Sequence, residues 1–284
     1  MIYAYVDAYK SINEQTELLQ YLNLNLIPLR RINGKSIYAL TMEELDEINT
    51  EFNKQKVAVS QIDIEDKYTL EEPLDINKVI ATARLFKTKD VFINLPSYNN
   101  FHEEKDALTA YIDDLIHRFR REKINLSFHI DYVDNSAYLA YLIQHNKRIG
   151  FVFNPAKAYE NQKSITTYYR LLKENINAVI IYDVNKDLYP HLIGYGKTNA
   201  IDSLDRLIRD KFKGDIILDT NLLLYINNRF KLYKRRFNLP LIRNKKELDS
   251  YRDIENRLNL NESSNITFED LVLSQVNLLK KYMK

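Results

Sequence analysis

Polar side chains recur at the ends of short apolar runs along this 284-residue sequence, and their types suit metal binding and proton transfer. Arg30 closes NLIPLR and Arg31 follows it. Gln61 and Asp63 close VAVSQID, while His129 lies in INLSFHI with Asp131 just beyond. Asn154 closes IGFVFN, Asp183 closes NAVIIYD ahead of Lys186, and Asp219 closes DIILD ahead of Asn221. Imidazole, carboxylate and amide groups gathered at one place could hold a divalent cation such as zinc or manganese. The same groups could move a proton between adjacent carbons. Taken singly, each has a simpler reading as a polar strand end facing water. Only as a set do they make a candidate site.

The elements that would position them are eight β-branched or aromatic runs, at 2–6, 25–30, 57–63, 90–95, 124–130, 149–154, 177–183 and 215–219. Segments with helical periodicity lie between them. The clearest is 104–121, where Leu108, Tyr111, Ile112, Leu115 and Phe119 fall on one helix face. Ser11 with Glu14 and Thr41 with Glu44 have capping-box spacing at two predicted helix starts. Runs that are near-continuously apolar fit parallel strands buried on both faces. Eight strand–helix units in sequence predict a single-domain α/β protein over 1–284, a closed (β/α)8 TIM barrel. An open doubly wound sheet fits less well, because no Gly-rich phosphate loop follows the first strand.

After Asn221 the alternation breaks, and the amphipathic stretch ITFEDLVLSQVNLLKKYMK then supplies an eighth helix, with Thr267 and Asp270 in its first turn. Residues 222–265 become a long insertion between strand 8 and helix 8, expected over the C-terminal mouth of the barrel, where such folds carry their sites. Within it, Arg229, Lys231, Lys234, Arg235, Arg236, Arg243, Lys245 and Lys246 form a basic stretch interleaved with Phe230, Tyr233 and Phe237. It could grip a phosphate, pack on the barrel or stack nucleic-acid bases, and the simplest reading is a solvated basic face or an oligomer contact.

Composition narrows the options. There are 41 basic and 39 acidic residues, a near-balance that argues against a general nucleic-acid binder. The absence of cysteine excludes disulfides, thiolate metal sites and a Cys nucleophile. No apolar run reaches membrane-spanning length, and MIYAYVDAYK lacks the layout of a secretory signal, so a cytoplasmic location is expected.

The stretch 177–221, NAVIIYDVNKDLYPHLIGYGKTNAIDSLDRLIRDKFKGDIILDTN, resembles the closing βαβ unit of the xylose-isomerase-like TIM barrels, which include sugar-phosphate isomerases and epimerases and metal-dependent abasic-site endonucleases. In element order the resemblance covers residues 1 to about 221. It implies metal ligands at the ends of strands 5 to 8, and here several are exchanged. LSFHID brings His129 or a neighbour where Glu is usual, FVFNP brings Asn154 where Asp is usual, VIIYD brings Ile180 where His is usual, and ILD brings Asp219 for Glu. Asp183 and the Gly194–Gly196 loop match the pattern.

The resemblance thus implies a sugar or sugar-phosphate isomerase/epimerase working by proton transfer at the C-terminal face, with His129, Asp183, Asp219 and Lys186 as candidate catalytic groups. Arg30, Gln61, Asp131, His191 and Arg235 would bind substrate. His129, Asn154 and Asp219 would hold one manganese or zinc ion, or the metal site is lost. The alternative is a non-catalytic barrel binding a sugar-like ligand or a protein partner. A DNA-repair endonuclease fits least, because the chain has five histidines and only one at a strand end.

Overall fold

The protein is seen in a computed structural model that describes residues 1–130, 136–234, 251–258 and 266–283. The barrel strands are β1 (Ile2–Tyr5), β2 (Leu26–Leu29), β3 (Ala58–Ile64), β4 (Asp90–Asn94), β5 (Asn125–His129), β6 (Gly150–Phe153), β7 (Ile176–Ile181) and β8 (Asp215–Asp219). Each coincides with one of the eight apolar runs. All ladders are parallel, in the order β1-β8-β7-β6-β5-β4-β3-β2, and β1 packs alongside β2 to bring the sheet round.

Among the described helices are α1 (Ile12–Tyr21), α2 (Met42–Lys54), α3 (Ile76–Leu85), α4 (Phe101–Arg121), α5 (Ser136–His145), α6 (Pro155–Glu160), α7 (Ile165–Leu172), α8 (Ala200–Arg209), α9 (Leu223–Lys234) and α10 (Phe268–Tyr282). Local chemistry fixes their starts. Ser11 with Glu14, Thr41 with Glu44 and Thr267 with Asp270 each form a reciprocal capping box. Helix α4 buries Leu108, Ile112, Leu115 and Phe119, as its periodicity predicts. Helix α10 packs on β1 and α1, so it closes the ring as the eighth barrel helix.

Side-chain alternation along the strands separates two apolar clusters. Ala4, Val91, Ile93, Phe128, Phe151, Phe153, Val179, Ile181, Ile216 and Leu218 face the helices and join the main core. Tyr3, Tyr5, Phe92, Val152, Ala178, Ile180 and Ile217 form a separate cluster that fills the barrel interior. The period of two then decides which polar residue at each strand end points into the mouth.

Strand β3 departs from the near-continuous apolar pattern expected of it. Ile62 and Ile64 join the helix-facing core, while Gln61 and Asp63 alternate with them and turn inward. Its register against β2 shifts between Ile27 and Pro28. Two short antiparallel ribbons, Arg31–Ile32 with Lys35–Ser36 and Asp183–Val184 with Pro190–His191, were not anticipated. They decorate the loops after β2 and β7.

Candidate functional site

At the C-terminal end of the barrel one run of contacts links six strand ends. Asp63 is fully buried, accepts a hydrogen bond from the Tyr5 hydroxyl on one oxygen, and meets His129 Nε2 at 2.6 Å on the other. His129 keeps 15% of its side chain exposed and has the edge of Phe92 against its ring. On the other side of Tyr5, the Arg30 guanidinium carbon lies 4.0 Å from the ring centroid. Arg30 grips Asp7 through Nε at 2.7 Å and Nη2 at 2.9 Å, and its Nη1 reaches Asp219 at 3.1 Å and Glu65 at 3.3 Å. Arg31, more exposed, pairs with Glu65 at 3.0 Å. Asn94 binds the backbone carbonyls of Glu65 and Asp66 and steadies that loop.

The electrostatics follow from burial set against pairing. Burial alone would raise the Asp63 carboxyl, but the charge and hydrogen bond of His129, with help from Tyr5 and Arg30, hold it below its ordinary value. Burial alone would lower the His129 imidazole, and Asp63, then Glu65, outweigh this and hold it up. The Glu65 carboxyl is raised, chiefly by burial, against the pull of Arg30. Each member of the pair therefore favours the charged form of the other, and a second acid of raised pKa lies nearby.

The pair makes stability depend on pH. The contribution of His129 is complete below its ordinary 6.5 and lost as pH rises through its raised folded value. That of Asp63 is complete above its ordinary 3.8 and lost as pH falls through its lowered folded value. Thermal melts from about pH 6 to about pH 9 should show wild type losing stability more steeply than His129→Gln. Identical pH profiles for the two chains would rule out the charged pair. Glu65, Arg30, Asp219 and Tyr5 are the other ionisable groups around it.

The remaining sequence-derived candidates fall elsewhere. Asp183 shares the parity of Ile181 and faces away from the barrel interior, where Ile180 stands instead. Its oxygens accept from the backbone N–H groups of Val184, Gly194, Gly196 and Thr198 and from the Thr198 hydroxyl, at 2.8–3.1 Å. It organises the loop after β7 and is not open at the mouth. Lys186 is exposed in the turn of the hairpin that follows Asp183. His191 accepts from the Leu192 N–H at 3.0 Å and packs against Tyr225 of α9 and Tyr251, with burial lowering its pKa. Those ring contacts attach the described parts of the insertion to the β7 loop. Gln61 is 1% exposed, one layer beneath Asp63, and neither of its amide atoms finds a partner among the described residues. Asn154 caps α6 by accepting from Lys157 N–H at 2.9 Å. Arg30 is enclosed by carboxylates, so it is not free to grip a substrate phosphate. Asp131 and Arg235 lie outside the described residues.

The divalent metal implied by the resemblance does not fit this arrangement. His129 Nε2 is committed to Asp63, Asp219 to Arg30, and Asn154 to its helix cap. Among the described residues no group of three or more His, Asp or Glu side chains is placed to hold a metal ion.

Tyr5, Asp7, Glu65 and Asn94 escaped the reading of strand ends. For Glu65 a signal existed: Gln61, Asp63 and Glu65 alternate with Ile62 and Ile64, which marks a strand with one polar face. For Asp7 the signal was its position just past the first strand, on the same parity as Tyr5.

No family model matches the sequence, and no curated protein matches it. Solved structures do. A D-psicose 3-epimerase from Clostridium cellulolyticum H10 superposes with a TM-score of 0.65 at 7% identity, over 100% of both chains. An L-ribulose 3-epimerase gives 0.62 at 10% identity, over 100% of this chain and 95% of that one. A xylose isomerase domain-containing protein from Salmonella typhimurium LT2 gives 0.64 at 12% identity, over 98% of this chain and 96% of that one. These likenesses, spanning nearly the whole length at such low identity, establish that the chain has the (β/α)8 TIM-barrel fold that these proteins share.

Proposed function

We propose that the protein binds a small sugar or polyol at the C-terminal mouth and isomerises or epimerises it by moving a proton at a carbon next to a carbonyl. The observation that carries this reading is the Asp63–His129 pair, a buried carboxylate holding a partly exposed imidazole at the mouth. Asp63 fixes the orientation of the ring and its charge, as a buried acid does for a catalytic histidine. In its protonated form His129 would donate to the substrate carbonyl oxygen. A carboxylate would take the proton from the adjacent carbon and, for isomerisation, give it back to the neighbouring carbon on the same face, while epimerisation would need a second acid to deliver a proton from the opposite face. Glu65, with its raised pKa and its place beside Arg30, is the best-placed described acid for that step. The epimerases among the structural neighbours supply the substrate class.

The test is proton exchange rather than a guessed product. Aldoses and ketoses, free and phosphorylated, are incubated with the protein in heavy water, and NMR follows deuterium entering the position beside the carbonyl. Exchange should occur with at least one sugar and fall by about 100-fold or more in His129→Gln, the usual span for loss of a general acid or base. Sugar binding seen as a thermal shift, with no exchange, would support the alternative of a non-catalytic barrel. That alternative draws on the pairing of Asp219 with Arg30, which withdraws one acid from chemistry.

A further inference from the structure

The centre of the charged mouth is occupied by the protein's own cation. Nε, Nη1 and Nη2 of Arg30 all donate to carboxylates, two contacts going to Asp7, one to Asp219 and one to Glu65. Three acids from the ends of β1, β3 and β8 thus face one guanidinium, whose carbon rests on the Tyr5 ring at 4.0 Å. Only 12% of the Arg30 side chain is exposed, and Asp7 and Asp219 keep 9% and 16%. Carboxylates gathered this closely repel unless a positive charge stands among them, and hard oxygen ligands of this kind otherwise collect around a divalent ion.

We propose that Arg30 is the resident cation of this mouth, supplying the positive charge that its gathered acids need, so that the Asp63–His129 pair works without bound metal. The second half of this statement rests on the acid/base reading above, and the first does not. Because its donors are committed to carboxylates, Arg30 sets the charge of the mouth rather than polarising a substrate. The polarising group left facing the mouth is His129.

Metal alone is the probe, on the full chain. Elemental analysis after purification without chelator, and calorimetric titration with Mn²⁺, are compared for wild type, Arg30→Gly and Arg30→Gly/Asp219→Asn. Wild type should carry less than about 0.1 equivalent of divalent metal and show no Mn²⁺ site tighter than about 1 mM. Arg30→Gly should gain at least about tenfold in Mn²⁺ affinity, and the double variant should lose that gain. Should Arg30→Gly unfold, recovery of its fold by Mn²⁺ but not by sodium chloride of equal ionic strength reports the same gain. One equivalent of metal in wild type, removed by His129→Asn or Asp219→Asn, would overturn the proposal. So would an Arg30→Gly chain indifferent to Mn²⁺, folded or not. No sugar turnover enters these readouts. A protein without exchange activity leaves the resident cation standing, and a wild-type metal site would sink it while leaving the isomerase reading intact.

Discussion

Asp183→Ala is expected to destabilise the protein by about 3–5 kcal/mol, as loss of a buried charged acceptor that serves several donors should. Five donors converge on this one carboxylate: the backbone N–H groups of Val184, Gly194, Gly196 and Thr198, and the Thr198 hydroxyl. Alanine would strip them of their acceptor while leaving the Asp183 and Thr198 positions buried. The loop is built around the carboxylate as well. A Cβ at Gly196 would fall 2.1 Å from Asp183 Oδ1, and Gly194 holds φ at +85°, where other residues are strained. Asp183→Asn should recover little, because its amide nitrogen would meet N–H donors where an acceptor is needed. In a thermal melt the alanine variant should lose roughly 6–10 °C, on the scale of about 2 °C per kcal/mol for a chain of this size. A variant that melted like wild type yet lost proton exchange would instead restore Asp183 as a base.

That expectation reverses the role the sequence suggested for Asp183, and the reason is geometric. The resemblance places an Asp three residues past Ile180, and a strand end with a carboxylate is easily taken to open on the mouth. Side chains on a strand alternate faces, however, so a residue three positions from an inward one points outward. Ile180 packs inside the barrel and Asp183 turns to the loop. The eight strands themselves were legible because a parallel barrel demands apolar runs bounded by turns, and each run became a strand. His129, Arg30 and Asp219 were legible as strand ends for the same reason. Their pairing was not. Arg30 and Asp219 stand 189 residues apart in the chain, and only closure of the barrel between β1 and β2 brings them together. Asp7 and Glu65 acquire meaning only once Arg30 is seen between them. Asp219, read along the sequence as a metal ligand, is paired instead with a cation encoded at another strand end.

Arg30→Met should cost about 3–5 kcal/mol in denaturant melts, the range for removing one member of a buried ion pair, since it leaves carboxylates without their counter-charge. Surface ion pairs contribute about 0–1 kcal/mol, and Arg31 with Glu65, both more than a third exposed, belongs to that class. Arg30 differs in being nearly enclosed and in holding Asp7 with two parallel contacts. Coupling should therefore be unequal among its partners. In double-mutant cycles Arg30 with Asp7 should give the largest interaction term, Arg30 with Asp219 a smaller one, and Arg30 with Glu65, which is 39% exposed, the smallest. Added salt should leave the first two nearly unchanged, because buried pairs are weakly screened, and should erode the third. Arg30→Met/Asp7→Asn should then regain part of what the single change loses, since one of the stranded charges is gone. A loss below about 1 kcal/mol for Arg30→Met would place the cluster with ordinary surface pairs. The acids of the mouth would then be free to act on something other than Arg30.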